Sequence, residues 1–122
     1  MPKKILVVDD EESIRWSLSQ NLKLLGCDAD TAASGEIALG MIHGTFYNVI
    51  ITDYQMPGIN GAELIKIIRG LSPKSGVILM TGLDDERLKH GSGAGIFLKK
   101  PFTKETLEKA LDRLDGGMTK AP

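Results

Sequence analysis

Sulfur chemistry is nearly absent from this chain. Cys27 is the only cysteine among 122 residues, which excludes an intrachain disulfide and a cysteine-built zinc site. A reducing compartment follows as the expectation, and with it a cytoplasmic location. No run approaches the roughly 20 apolar residues that a membrane-crossing helix needs, so no membrane association is expected. Met1-Pro2-Lys3-Lys4 leads into only four apolar residues, Ile5 to Val8, too few for the core of a secretory signal. No dense Lys/Arg stretch occurs, and a net charge of −1 argues against direct nucleic-acid binding by this domain. The glycine-rich stretch 91–95 lacks GxGxxG spacing and precedes a strand-like run, so it is no dinucleotide loop. Internal repeats and tight hairpin signals are absent too.

What remains is the composition of one soluble globular domain. The chain is 42% hydrophobic and 25% charged, enough apolar material for a core at a length too short for two typical domains. Ile5 to Val8 is a continuous, β-branched run, as expected of a strand covered on both faces. Ile14, Leu18, Leu22 and Leu25 then recur at helical spacing, with Gly26 as a stop. A weak strand signal covers residues 27–31. Ser34 caps a helix with an apolar face of Ile37, Ala38, Met41 and Ile42, closed by Gly44. Residues 49–52 and 77–80 read as strands, and between them 61–69 reads as a helix with Leu64, Ile65 and Ile68 inward. Residues 84–90 give a weak helix signal and 96–98 a short strand. Thr103 caps a last helix carrying Leu107, Ala110, Leu111 and Leu114.

Five βα units predict an α/β fold, a parallel sheet with helices on both faces and right-handed crossovers. Ligands of such sheets bind beyond the carboxyl ends of the strands, where strand order reverses. Asp9-Asp10, Asp53, Thr81 and Lys99-Lys100 all fall at those ends. Three acids on one rim are costly. Two unit charges about 4 Å apart repel by roughly 4 kcal/mol at an effective dielectric of about 20. The rim therefore calls for a cation, a lysine, or both. The domain is expected over residues 1–115, with 116–122 a flexible tail or linker stub.

Four motifs in order carry a family resemblance: Ile5-Leu-Val-Val-Asp9-Asp10-Glu11, Asp53-Tyr-Gln-Met-Pro57-Gly58 with Gly61, Leu79-Met-Thr81-Gly82, and Phe97-Leu-Lys-Lys100-Pro101-Phe102. Together they resemble the CheY-like receiver domain of two-component response regulators over nearly the whole chain. The resemblance implies a flavodoxin-like (βα)5 doubly wound sheet of order 2-1-3-4-5. It implies a phosphorylation-activated switch that takes a phosphoryl group from a sensor histidine kinase or phosphotransfer protein and relays its state to a downstream effector domain or protein. Asp53 is then the phosphoacceptor. Asp10, Asp53 and the Gln55 backbone carbonyl would hold Mg²⁺, with Asp9 acting through water. Thr81 and Lys100 would contact the phosphoryl group, Phe97 would sit at the switch-aromatic position, and Lys100–Pro101 would be a cis peptide bond. Lys100 is preferred over Lys99 because the family's lysine directly precedes proline, and Lys99 alternates to the other side of the strand.

The resemblance implies no enzyme acting on outside substrates, only catalysis of the chain's own phosphorylation and dephosphorylation. A metal-dependent phosphohydrolase would want a second acid two residues after its nucleophile, where this chain has Gln55. A relic adaptor would be expected to have lost a member of the set. The chain departs from the family between Thr81 and Lys100, an interval about one helical turn short. The short helix expected over 84–90 is accordingly predicted to be mobile, which puts family-style dimerisation through that face in doubt. His43 and His90 are read as surface residues, and Trp16, off the helical stripe, as partly exposed.

Overall fold

The computed structural model describes residues 3–82 and 93–119. Its elements are β1 (Lys4–Val8), α1 (Glu12–Leu24), β2 (Asp28–Ala32), α2 (Gly35–Gly44), β3 (Val49–Asp53), α3 (Gly61–Leu71), β4 (Gly76–Thr81), β5 (Ile96–Lys99) and a last helix, α4 (Lys104–Thr119). The five strands form one parallel sheet of order β2-β1-β3-β4-β5. Strand order reverses between β1 and β3: the chain goes from β1 to β2 on one side and from β3 to β4 on the other, which opens a crevice at their carboxyl ends.

Continuous apolar runs build this sheet because each strand feeds two cores. Successive side chains point to opposite faces. Ile5, Val7, Val49, Ile51, Ile78 and Met80 pack with Leu18, Leu22, Leu107 and Leu111, from α1 and α4. Leu6, Val8, Ile50, Val77 and Leu79 pack with Ala38, Ile42, Leu64 and Ile68, from α2 and α3. Alternation thus assigns every apolar strand residue to a helix layer.

Helix ends follow the local signals. The Ser34 side chain accepts from the Ile37 amide at 3.1 Å, and Thr103 Oγ1 accepts from the Thr106 amide at 3.1 Å. Gly26, at φ +83°, carries the chain out of α1 in the left-handed region that favours glycine. Two expectations need correction. Ile37 does not join the α2 core face and is 51% exposed, because that face is filled by Ala38 and Ile42. The last helix continues to Thr119, through Gly116-Gly117 and into the segment 116–122 expected as a tail. The helix expected over 84–90 and His90 lie outside the described residues. Among the described residues, no helix is long and apolar enough to cross a membrane.

Tyr47 ties the edge strand to the sheet. Its ring is buried beside β3, and its hydroxyl donates to Asp30 Oδ2 on β2 at 2.7 Å. Burial, then the Asp30 hydrogen bond and charge, push the phenol up to about 12 from an ordinary 10.0. A folded-state value above the unfolded one gives stability that is fully present below the unfolded value and lost as pH rises through the folded value. We therefore expect Tyr47→Phe to cost about 1–2 kcal/mol in urea unfolding at neutral pH. The difference between variant and parent should shrink as pH climbs from about 10 to about 12. A constant difference across that window would remove the Asp30 bond as its cause.

Candidate functional site

The register of the sheet assembles the rim. Val8 lies opposite Thr52, so Asp9 and Asp53 leave neighbouring strands side by side. Asp53 is opposite Met80, and Thr81 is opposite Lys99. The Lys100 amide donates to the Thr81 carbonyl at 2.8 Å, which extends the β4–β5 pairing one step past the strand end. Alternation then decides which side chains meet. Asp9 follows Val7, Asp53 follows Ile51, and Lys100 follows Leu98, three rows that all pack toward α1 and α4.

The three groups do meet. Lys100 Nζ stands 3.2 Å from Asp53 Oδ1 and 3.4 Å from Asp9 Oδ2. Asp9, Asp10 and Asp53 each offer a carboxylate oxygen, and these atoms lie within 4.8 Å of one another. Asp9 is fully buried and Asp53 nearly so, while Asp10 faces solvent. Asp9 is further fixed through the Glu11 amide, which donates to its Oδ1 at 2.9 Å, and through Arg15 Nη1, which donates to its carbonyl at 2.8 Å.

Electrostatics at the rim are a contest between burial and pairing. Burial pushes the Asp53 carboxyl up; Lys100 pulls it down, Asp9 pushes it up again, and the net direction is upward. For Lys100, burial works against the charged ammonium, yet Asp53 and Asp9 together outweigh it and hold the group above its ordinary range. One lysine thus stays charged between two acids, and Asp53 remains under-compensated. The donor set is all hard oxygen, the kind Mg²⁺ takes from one or two carboxylates while keeping several waters. The cluster fits such an ion.

The other sequence-derived residues sit around this centre. Thr81 is buried at the end of β4, and Gly82 beside it is exposed. Gln55 is exposed two residues after Asp53, in the loop from β3 to α3. Phe97 is half-buried on the opposite face of the sheet, against the α2 and α3 layer. The Lys100–Pro101 peptide bond is cis, and Lys99 is exposed on the far side of its strand. His43 is exposed, and Trp16 is 66% exposed.

Sequence reasoning missed two contributors. Arg15 had no signature, because its partner is a backbone carbonyl. The N-terminus of α3 had one: Asn60 and Glu63 have the spacing of a capping box. The Asn60 side chain accepts from the Glu63 amide at 2.9 Å, and Glu63 Oε1 accepts from the Asn60 amide at 3.1 Å. This fixes where α3 begins, directly under the loop that follows Asp53.

Comparison with known proteins agrees with this geometry. The response regulator receiver domain profile matches residues 5–112. Protein PilG of Pseudomonas aeruginosa is 36% identical over 113 residues, covering 88% of this chain and 84% of PilG. The alkaline phosphatase synthesis transcriptional regulatory protein PhoP of Bacillus subtilis is 38% identical over 106 residues, covering 84% of this chain. The chain spans only 44% of PhoP, so it corresponds to part of that longer protein. Among solved structures, the response regulator TrrA of Thermotoga maritima, in complex with Mg²⁺-BeF, superposes with a TM-score of 0.85 at 35% identity. That match covers 92% of this chain and 98% of TrrA. With its sheet order, its rim of acids and its lysine, this chain belongs to the response regulator receiver domain family.

Proposed function

We propose that Asp53 is the phosphoacceptor of a signalling switch, charged by a sensor histidine kinase or phosphotransfer protein and read by a downstream effector domain or protein. The observation that carries this reading is Lys100 Nζ bridging Asp53 and Asp9 at 3.2 and 3.4 Å within a cluster of three carboxylates. An Asp53 oxygen attacks the donor phosphorus. The new P–O bond forms as the bond to the donor's imidazole nitrogen breaks, and the imidazole leaves with that electron pair. Lys100 and the Thr81 hydroxyl then hold phosphoryl oxygens.

Asp10, Asp53 and the Gln55 backbone carbonyl would hold Mg²⁺, with Asp9 acting through water. Bound there, the ion would neutralise charge developing on the transferred group. TrrA, solved with Mg²⁺-BeF, supports the assignment by likeness. Once Asp53 is modified, Lys100 and Thr81 gain a new common partner at the ends of β5 and β4. Phe97, three residues before Lys100 on β5, moves with them. The switch is a population shift, limited by how differently its two states interact with the phosphoryl group. The protein acts on no free substrate and catalyses only its own phosphorylation and dephosphorylation.

Intact mass after incubation with acetyl phosphate and Mg²⁺ tests the acceptor. The wild type should gain one phosphoryl group, and chelation of the metal or Asp53→Ala should abolish the gain. A gain that survives Asp53→Ala would move the acceptor elsewhere, and steady turnover of a phosphoester would make the protein a hydrolase.

Lys100→Ala separates phosphoryl binding from metal binding. Removing one positioned donor should slow phosphoryl uptake on the order of 100-fold. Mg²⁺ affinity should not fall, because a competing cation leaves the carboxylates. Loss of both together would assign Lys100 a purely structural role.

A further inference from the structure

The loop between β3 and α3 carries Asp53 at its start and, on the reading above, supplies the Gln55 carbonyl to a metal. Two helix N-termini press on it. From below, Gly61 opens α3, and its amide donates to the Tyr54 carbonyl at 2.8 Å. A methyl group on Gly61 would overlap the Asp53 carbonyl oxygen and stand 2.8 Å from Tyr54 Cα and 3.0 Å from Leu79 Cδ1. From the side, Gly35 opens α2, where a methyl would come 3.1 Å from Ile59 Cβ and 3.3 Å from the Ile59 carbonyl.

The α3 helix is held in place. The capping box at Asn60 and Glu63 fixes the first turn of α3, and Leu64, Ile65 and Ile68 are fully buried behind it. A side chain at Gly61 must therefore push the Asp53–Tyr54 peptide. Asp53 sits in the sheet, and Gln55 is only two residues further on. The displaced peptide is the one that links the candidate acceptor to the candidate carbonyl ligand.

We infer that Gly61 is a positioning residue for the phosphoacceptor loop: its missing side chain lets α3 seat directly on the Asp53 backbone and hold the loop in its metal-binding shape. Gly35 braces the same loop more lightly from α2. The effect is steric and not conformational, because Gly61 does not occupy the left-handed region. Alanine at a first helical position would by itself favour the helix. A role confined to helix propensity thus predicts little loss on substitution.

The inference rests on the proposed metal-dependent switch, and the test separates the two. Four proteins are compared: the wild type, Gly61→Ala, Gly35→Ala and Gly70→Ala. Gly70, also in α3, has open space where a methyl would go, so it controls for added helix propensity. Mg²⁺ affinity is read by titration, the fold by circular dichroism, and the loop by the amide shifts of Tyr54 and Gln55 without metal.

Gly61→Ala should keep its helix signal, move both amide shifts and weaken Mg²⁺ binding roughly 10-fold or more, the scale seen when support behind a metal ligand is lost. Gly35→Ala should lose less, and Gly70→Ala should match the wild type. A folded Gly61→Ala that binds Mg²⁺ like the wild type would overturn the inference. So would a larger loss in Gly35→Ala than in Gly61→Ala. Should Gly61→Ala fail to fold, the comparison of Gly35→Ala with Gly70→Ala decides, and equal Mg²⁺ affinities there would refute the brace. A wild type that binds no Mg²⁺ would instead bring down the switch reading, leaving the amide shifts to report on Gly61 alone.

Discussion

One ammonium among three carboxylates governs this molecule's functional end. Lys100 reaches both Asp53 and Asp9 but leaves Asp10 to solvent. Asp9 is wholly buried, so its charge is tolerable only with partners at hand. Those partners are Lys100, the Glu11 amide and, through its backbone, Arg15. The rim is therefore held together and still short of positive charge. A divalent cation bound among the carboxylates would relieve that shortage.

The fold delivers this arrangement through two periodicities. Parallel strand order brings four separate segments to one rim, and alternation along each strand chooses which of their residues turn the same way. Asp9, Asp53 and Lys100 extend the rows that pack toward α1 and α4, whereas Phe97 belongs to the row packing toward α2 and α3. Lys100 directly follows β5, three residues after Phe97, so under the proposed switch a displacement of the first would carry to the opposite layer. The Lys100 amide bond to the Thr81 carbonyl would couple the end of β4 to the same movement.

Much of this was legible in the sequence because it depends on short-range rules. Strands buried on both faces read as unbroken apolar runs, so β1, β3 and β4 were evident, and the polar residues at their ends, Asp9-Asp10, Asp53 and Thr81, followed. Ser34 and Thr103 announced their helices as side-chain caps. Ile37 was misplaced because helical spacing defines an apolar arc wider than the surface α2 has to cover. The Gly116-Gly117 pair suggested an end to the last helix, yet backbone hydrogen bonding carries it to Thr119. Arg15 was not legible as a site residue, and Gly61 was legible only as a member of the Asp53 motif, without its role. Each acts on a backbone atom earlier in the same strand-to-helix connection, Asp9 O for one and the Asp53–Tyr54 peptide for the other, and backbone atoms carry no residue-specific signal.

The same geometry explains why modest chemistry at Asp53 would have a large reach. A phosphoryl group carries about −1.5 to −2 charge near neutral pH, where the bare carboxylate carries one negative charge. Lys100, already held between two acids, would meet a partner with more charge and more oxygens than either. Its preference among the three would change, and the β5 end with it. The loop after Asp53 cannot absorb the change by shifting downward, since α3 is seated against it through Gly61 and capped in place. With one side of the site held in place, accommodating a phosphoryl group would fall on the other, the ends of β4 and β5 where Thr81 and Lys100 stand. A seated α3 beneath the acceptor and a lysine beside it that can choose among acids would thus be complementary parts of the proposed switch.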